Sequence, residues 1–131
     1  MIKLMIIDDD EMSLLSLKNF LTTEGFYVEA FANPLEALEA AHNLEFDLIA
    51  SDYRLPNMNG IALISRIREF QPEIKSILFT GYYTESTVEA ARQAQINKFF
   101  AKPIRIKELI DSINRLVNLP MAERYQNNEY V

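Results

Sequence analysis

Short apolar runs alternate along this chain with longer stretches in which apolar residues recur every three or four positions. The runs are KLMII (3–7), YVEAF (27–31), DLIAS (47–51), KSILFT (75–80) and KFFA (98–101). Runs of that length, rich in β-branched and aromatic residues, predict buried strands. The stretches between and after them, EMSLLSLKNFLTTEG (11–25), PLEALEAAHN (34–43), IALISRIREF (61–70), ESTVEAARQAQ (85–95) and IKELIDSINRLV (106–117), have the helical period. In the first helix Leu14, Leu15, Leu17, Phe20 and Leu21 are assigned to the inner face, with Gly25 just past its end. Asn33 suits the N-cap of the second and Pro34 its first turn, while Ile61, Leu63, Ile64 and Ile67 mark the inner face of the third.

Five strands each followed by a helix require parallel pairing through crossover helices, and strands apolar on both faces require cover on both. The expected fold class is therefore α/β: a doubly wound five-stranded parallel sheet in the flavodoxin-like order 2-1-3-4-5, with helices on both faces. Residues 1–118 carry this pattern. Residues 119–131, LPMAERYQNNEYV, lose it and are expected to form a polar tail or the start of a linker.

A chain of 131 residues fits one such domain. Its net charge of −6 argues against non-specific binding of nucleic acid or anionic lipid. The absence of cysteine excludes disulfides, thiol catalysis and thiolate zinc sites, and fits a reducing, cytoplasmic setting. Leu4–Ile7 is too short for a signal-peptide core before three acids interrupt it, and no longer apolar segment suggests a membrane span. The single histidine, His42, has no ligand set around it and is assigned to a solvent-facing helix surface.

In a sheet of this kind ligands bind beyond the carboxyl ends of the strands. Those ends carry Asp8 and Asp9, Asp52, Thr80 and Lys102. Asp10 can cap the first helix and Glu11 can sit in its first turn, but one cap does not account for three consecutive aspartates. Two carboxylates 4 Å apart repel by about 4 kcal/mol at a protein surface. Hard oxygen donors without histidine or cysteine suit Mg²⁺ (or Mn²⁺), which would relieve that repulsion. Lys102 and Thr80 could then hold the oxygens of a phosphoryl group.

Taken together, MIIDDD, DYRLPNMNG, LFTG and FFAKP resemble the receiver domain of bacterial two-component response regulators, over roughly residues 2–118. The resemblance implies that Asp52 is the phosphoacceptor, attacking the phosphohistidine of a sensor histidine kinase or phosphotransfer protein, or a small phosphodonor. It implies that Asp9 ligates Mg²⁺ directly and Asp8 largely through water, with Asp52 and the backbone carbonyl of Arg54 as further ligands. Thr80 and Lys102 would bind the phosphoryl oxygens. Thr80 and an inward-turning aromatic, here Phe99, would form a switch read out on the fourth helix, fifth strand and fifth helix by an output domain or partner protein. The Lys102–Pro103 bond would be cis. The only enzymatic capacity implied is self-phosphorylation and self-dephosphorylation at Asp52.

Some positions depart from that pattern. Phe99 stands where a tyrosine is common. Asn97 and Lys98 replace acids that precede the aromatic in regulators with winged-helix outputs, which leaves dimerisation open. Arg54 and Tyr82, two residues past Asp52 and Thr80, are expected to restrict the attacking water and set the lifetime of the phosphorylated state. Tyr82, Tyr83, Phe99 and Phe100 divide between core and partner surface in a way the sequence leaves undecided. Gly81, after Thr80, would leave a phosphate reachable.

Three other readings stay open: a receiver fold used as a docking module without phosphorylation, a Mg²⁺-dependent aspartyl phosphatase, and a flavin or nucleotide binder. The phosphatase reading lacks D-x-D after the first strand and a cap insertion. The nucleotide reading lacks a glycine-rich first loop.

Overall fold

The structure, a computed structural model, describes residues 1–118 and 129–130. Strand and helix alternate as β1 (Lys3–Ile7), α1 (Glu11–Thr23), β2 (Tyr27–Phe31), α2 (Pro34–Asn43), β3 (Leu48–Asp52), α3 (Gly60–Phe70), β4 (Lys75–Thr80), α4 (Glu85–Gln93), β5 (Lys98–Ala101) and α5 (Ile106–Val117). The strands are parallel, as the alternation requires, and take the expected order β2-β1-β3-β4-β5. The sheet also takes a sixth, two-residue strand, β6 (Glu129–Tyr130), parallel to β5 with Glu129 opposite Lys98 and Tyr130 opposite Phe99. An edge strand presents unpaired N–H and C=O groups, and here the chain itself supplies a partner. The remainder of the expected tail, 119–128 and 131, lies outside the described residues.

Alternation along each strand sorts the core into two layers. Leu4 and Ile6 of β1 and Phe100 of β5 pack with Leu14 and Leu21 of α1 and Leu109, Ile113 and Leu116 of α5. Met5 and Ile7, with Phe99, pack instead with α2, α3 and Ala91 of α4. The α1 face is narrower than expected. Leu14 and Leu21 are buried and Leu17 is half-buried, but Leu15 and Phe20 are more than half exposed. Leu15 and Phe20 each lie about 100° round the helix from the buried Leu14 and Leu21, outside the narrow face that α1 turns to the core.

The strand read as DLIAS runs one residue later, Leu48–Asp52. Asp47 is drawn out of it, its carboxylate accepting the Lys3 N–H at 2.8 Å, and Asp52 pairs in register with Phe79. Helix starts are capped by Asp10, Asn33, Asn59 and Thr84. α1 ends in Gly25 at φ +97°, with Phe26 N–H bonded to Leu21 O. α4 is the helix held least by apolar contact. It fully buries only the Ala91 methyl, worth about 1 kcal/mol, whereas α5 buries three large side chains at roughly 1.5–3 kcal/mol each.

Candidate functional site

The three consecutive aspartates occupy three different environments. Asp10 accepts the N–H groups of Met12 (3.1 Å) and Ser13 (3.4 Å) and the Ser13 hydroxyl (3.0 Å), so it is the cap of α1. Those bonds, the Ser13 hydroxyl foremost, hold its carboxyl below the usual carboxylate range. Asp8 is buried where β1 ends. Its carboxylate accepts the Asp10 N–H (2.9 Å) and the Lys102 ammonium (3.3 Å). Asp9 faces solvent.

Lys102 arrives from the far end of the sequence. Its backbone N–H is bonded to Thr80 O at 2.8 Å, which places the side chain between two carboxylates: Nζ lies 2.8 Å from Asp52 Oδ2 and 3.3 Å from Asp8 Oδ2. The Lys102–Pro103 bond is cis. Asp8, Asp9 and Asp52 each offer a carboxylate oxygen, all within 4.8 Å of one another. Burial, reinforced by the Asp52 charge, raises the Asp8 carboxyl above its usual range despite the Asp10 N–H and Lys102. Burial alone would lower Lys102, but the hydrogen bond and charge of Asp52, and then Asp8, outweigh it and raise the ammonium. Three carboxylates and one ammonium leave the site at about −2, and the donors are all hard oxygens, which fits one Mg²⁺.

Thr80 is buried at the end of β4, and its Oγ1 accepts the Tyr82 N–H at 3.1 Å. The aromatic residues separate cleanly. Phe99 and Phe100 are core on opposite faces of β5, while Tyr82 and Tyr83 are exposed. The Tyr83 ring leans on Phe99, centroids 5.0 Å apart. The inward position expected of the switch aromatic is therefore already taken by Phe99 in this structure. Arg54 and Tyr82 meet each other, the guanidinium 4.1 Å from the ring centroid. His42 is exposed and stacks on Phe70 at 4.1 Å.

The sequence by itself does not specify the contacts made by Gly60 and Asn97. A Cβ on Gly60 would lie 2.3 Å from the backbone oxygen of Asp52 and 2.8 Å from Leu78 Cδ1, so only glycine lets α3 start against the backbone of Asp52. Nothing in the sequence beyond a glycine at a helix start signals this. Asn97 is buried, its Oδ1 accepting the Ser76 N–H (2.9 Å) and its own N–H donating to Ser76 Oγ (3.1 Å), which ties the start of β5 to β4. A polar residue directly before an apolar strand was the available sign. By contrast, a Cβ on Gly81 would meet open space. No helix among the described residues is long and apolar enough to cross a membrane.

Comparison with known proteins agrees with this geometry. Residues 4–114 match the family model for the response regulator receiver domain. The chain is 27% identical over 117 residues to sporulation initiation phosphotransferase F of Bacillus subtilis, covering 89% of this chain and 94% of that protein. It is 28% identical over 116 residues to response regulator protein VraR of Staphylococcus aureus; the match takes in 87% of this chain but only 56% of VraR. Among solved structures, a CheY-like response regulator receiver domain protein from Methanospirillum hungatei is similar at TM-score 0.86 and 30% identity, covering 90% of this chain and 94% of that one. A response regulator protein from Burkholderia pseudomallei, solved with a phosphorylated aspartic acid, a calcium ion and citrate, is similar at TM-score 0.81 and 27% identity, over 100% of this chain and 77% of that one. The chain belongs to the response regulator receiver domain family, the phosphorylation-operated switches of two-component signalling.

Proposed function

We propose that Asp52 accepts a phosphoryl group from the phosphohistidine of a sensor histidine kinase or phosphotransfer protein, in a reaction requiring Mg²⁺ (or Mn²⁺). The observation that carries this reading is the placement of Lys102 Nζ between Asp52 and Asp8, beside a third carboxylate from Asp9. Asp9 would hold the metal directly and Asp8 largely through water, with Asp52 and the Arg54 carbonyl completing the protein ligands. When bound, the metal neutralises the surplus negative charge that would otherwise repel the phosphodonor. Asp52 Oδ attacks phosphorus, the P–N bond to the donor imidazole breaks, and its electron pair stays on the ring nitrogen. The product is an acyl phosphate on Asp52. Lys102, already at hydrogen-bond distance from Asp52, transfers its donor to a phosphoryl oxygen.

Thr80 is the link to conformation. Its hydroxyl accepts the Tyr82 N–H and keeps its own proton to donate to the phosphoryl group. Drawing Thr80 toward phosphate pulls the backbone leading into α4 and the Tyr83–Phe99 contact with it. Only a difference in phosphate affinity between the two loop arrangements shifts the population. The readout surface is α4, β5 and α5, engaged by an output domain or partner protein. Exposed Met12 and Phe20 of α1 flank Lys102 and Pro103 along one groove, a surface suited to the phosphodonor protein. We place the domain in the cytoplasm, with no direct contact to nucleic acid or membrane. Its only substrate is its own Asp52.

The test is incubation with Mg²⁺ and acetyl phosphate, followed by intact-mass measurement. Wild type is expected to gain one phosphoryl group, and to gain none in the presence of a chelator; Asp52→Asn is expected to gain none. A gain that persists in Asp52→Asn, or without divalent metal, overturns the reading.

The Arg54–Tyr82 stack is the element we assign to phosphate lifetime. A cation–π contact at an exposed site contributes about 0.5–1 kcal/mol. Replacing both residues by alanine is expected to speed loss of phosphate from Asp52 by about fivefold through freer access of water. An unchanged half-life would remove the two side chains from the mechanism.

A further inference from the structure

α4 is fastened very differently at its two ends. At the N-terminal end the capping bonds join only near neighbours, Thr84 and Thr87 to each other and Thr87 to Tyr82 O. Its attachments to the sheet there are the ring contact of Tyr83 with Phe99, the Tyr82 N–H bond to Thr80 Oγ1 and the partly buried Val88 on the core. At the C-terminal end one side chain from another helix gathers two carbonyls and a hydroxyl. Arg68 of α3 donates through Nη1 to Ala94 O, and through Nη2 to Gln95 O (2.6 Å) and Ser76 Oγ (2.8 Å). Ser76 is in turn bonded to Asn97 through both backbone and side chain. A single planar guanidinium therefore joins α3, β4, the end of α4 and the approach to β5, a task suited to its fixed fork of donors.

Gln95 sits at φ 57°, in the left-handed region, at the position where a helix end favours glycine. Its N–H bonds to Arg92 O, and Ile96 N–H bonds to Ala91 O. A non-glycine residue keeps such a conformation where its surroundings over-determine it, and the guanidinium on Ala94 O and Gln95 O does so here. Besides the fully buried Ala91, only the partly buried Val88 and Ala94 pack this end of the fold against the core, so the polar clamp carries much of the positioning of α4.

The geometry points to Arg68 as a positioning residue of the switch. The clamp makes the Ala94–Gln95 end of α4 a fixed pivot, so that a displacement begun at Thr80 and Tyr82 becomes a tilt of the whole helix rather than fraying of its first turn. This inference rests on the phosphoacceptor reading of Asp52.

The test uses the full chain as wild type, Arg68→Gln and Arg68→Lys. Amide hydrogen exchange and amide chemical shifts are followed in free protein and in protein loaded with Mg²⁺ and beryllium trifluoride, a phosphoryl mimic. In free Arg68→Gln the amides of Ala94, Gln95 and Ile96 are expected to exchange about tenfold faster than in wild type, with β1, β3 and β4 unchanged. On loading, wild-type shifts are expected to run from Tyr82 through Gln93, whereas those of Arg68→Gln stop at the first turn of α4. Arg68→Lys keeps stem and charge but cannot span all three acceptors. It should fall between the two, and it serves as the comparison if Arg68→Gln fails to fold. A merely structural arginine would lower the melting temperature and leave the loading pattern intact; that result overturns the pivot alone. A wild type that shows no response to loading overturns the phosphoacceptor reading and the pivot with it.

Discussion

Gly60→Ala is expected to destabilise the domain by about 3 kcal/mol and to slow phosphorylation of Asp52 by at least about tenfold. The new methyl would sit 2.3 Å from Asp52 O, a backbone atom that no rotamer change can move aside. Overpacking ordinarily costs about 1–3 kcal/mol, and a backbone obstacle puts this case at the top of that range. Alanine's better helix propensity returns at most about 1 kcal/mol. The clash can be relieved only by moving α3 or the end of β3, and β3 carries the phosphoacceptor. The checks are a lower denaturation midpoint with unchanged m-value and a slower mass gain with acetyl phosphate. Gly81→Ala is the control, because its Cβ meets open space and its backbone is not left-handed. It should change stability by less than about 0.5 kcal/mol. If Gly60→Ala behaves like this control, the close approach of α3 to Asp52 is not a constraint.

Lys102→Met is expected to lose about 2 kcal/mol of stability, measured in chelator at neutral pH, and to lose all phosphorylation by acetyl phosphate when Mg²⁺ is supplied. Removing one partner of a buried ion pair costs roughly 3–5 kcal/mol. About a third of the Lys102 side chain meets water, which lowers the figure, but Asp8 and Asp52 beneath it are nearly enclosed. Methionine preserves the stem and its packing, so the loss reports charge. The pH dependence follows in sign. Lys102 is raised in the folded state, so in wild type its contribution is complete at neutral pH and is lost as pH climbs through its folded-state value, above the usual lysine range. Asp8 is also raised, so the folded chain binds that proton more tightly than the unfolded chain. Acidification from its raised value down toward the ordinary carboxylate value therefore relieves the folded state. Without Lys102 one influence lowering Asp8 is gone and this relief is larger. The gap between Lys102→Met and wild type should accordingly shrink as pH falls from neutral into the carboxylate range. A gap that widens on acidification would show that the lysine does not compensate these carboxylates.

How much of the site was readable in the chain depends on what kind of information each residue carries. Asp8, Asp9, Asp52, Thr80 and Lys102 were legible because each lies at or just beyond the carboxyl end of a strand, and parallel strands point all such ends one way. Gly60 was not, since its role is a distance to a backbone oxygen eight residues earlier that arises only once α3 packs on β3. The contacts of Arg68 and Asn97 were not legible for a related reason. Both look like ordinary polar residues near element boundaries, and these partners lie more than twenty residues away, Ala94 and Gln95 for Arg68 and Ser76 for Asn97.

The apolar periodicity and the turn residues between runs determined five strands, five helices, their parallel direction and the edge where chemistry gathers. These are short-range properties, set by side-chain period and chain direction. Tertiary structure alone decided that Leu15 and Phe20 face water, that both phenylalanines of β5 are core while both tyrosines are not, and that three identical aspartates occupy three different environments. It also placed a strand from the C-terminal end beside β5. Each of those outcomes depends on which neighbour arrives from a distant part of the chain to take up space, charge or a hydrogen bond, and no local pattern encodes that arrival.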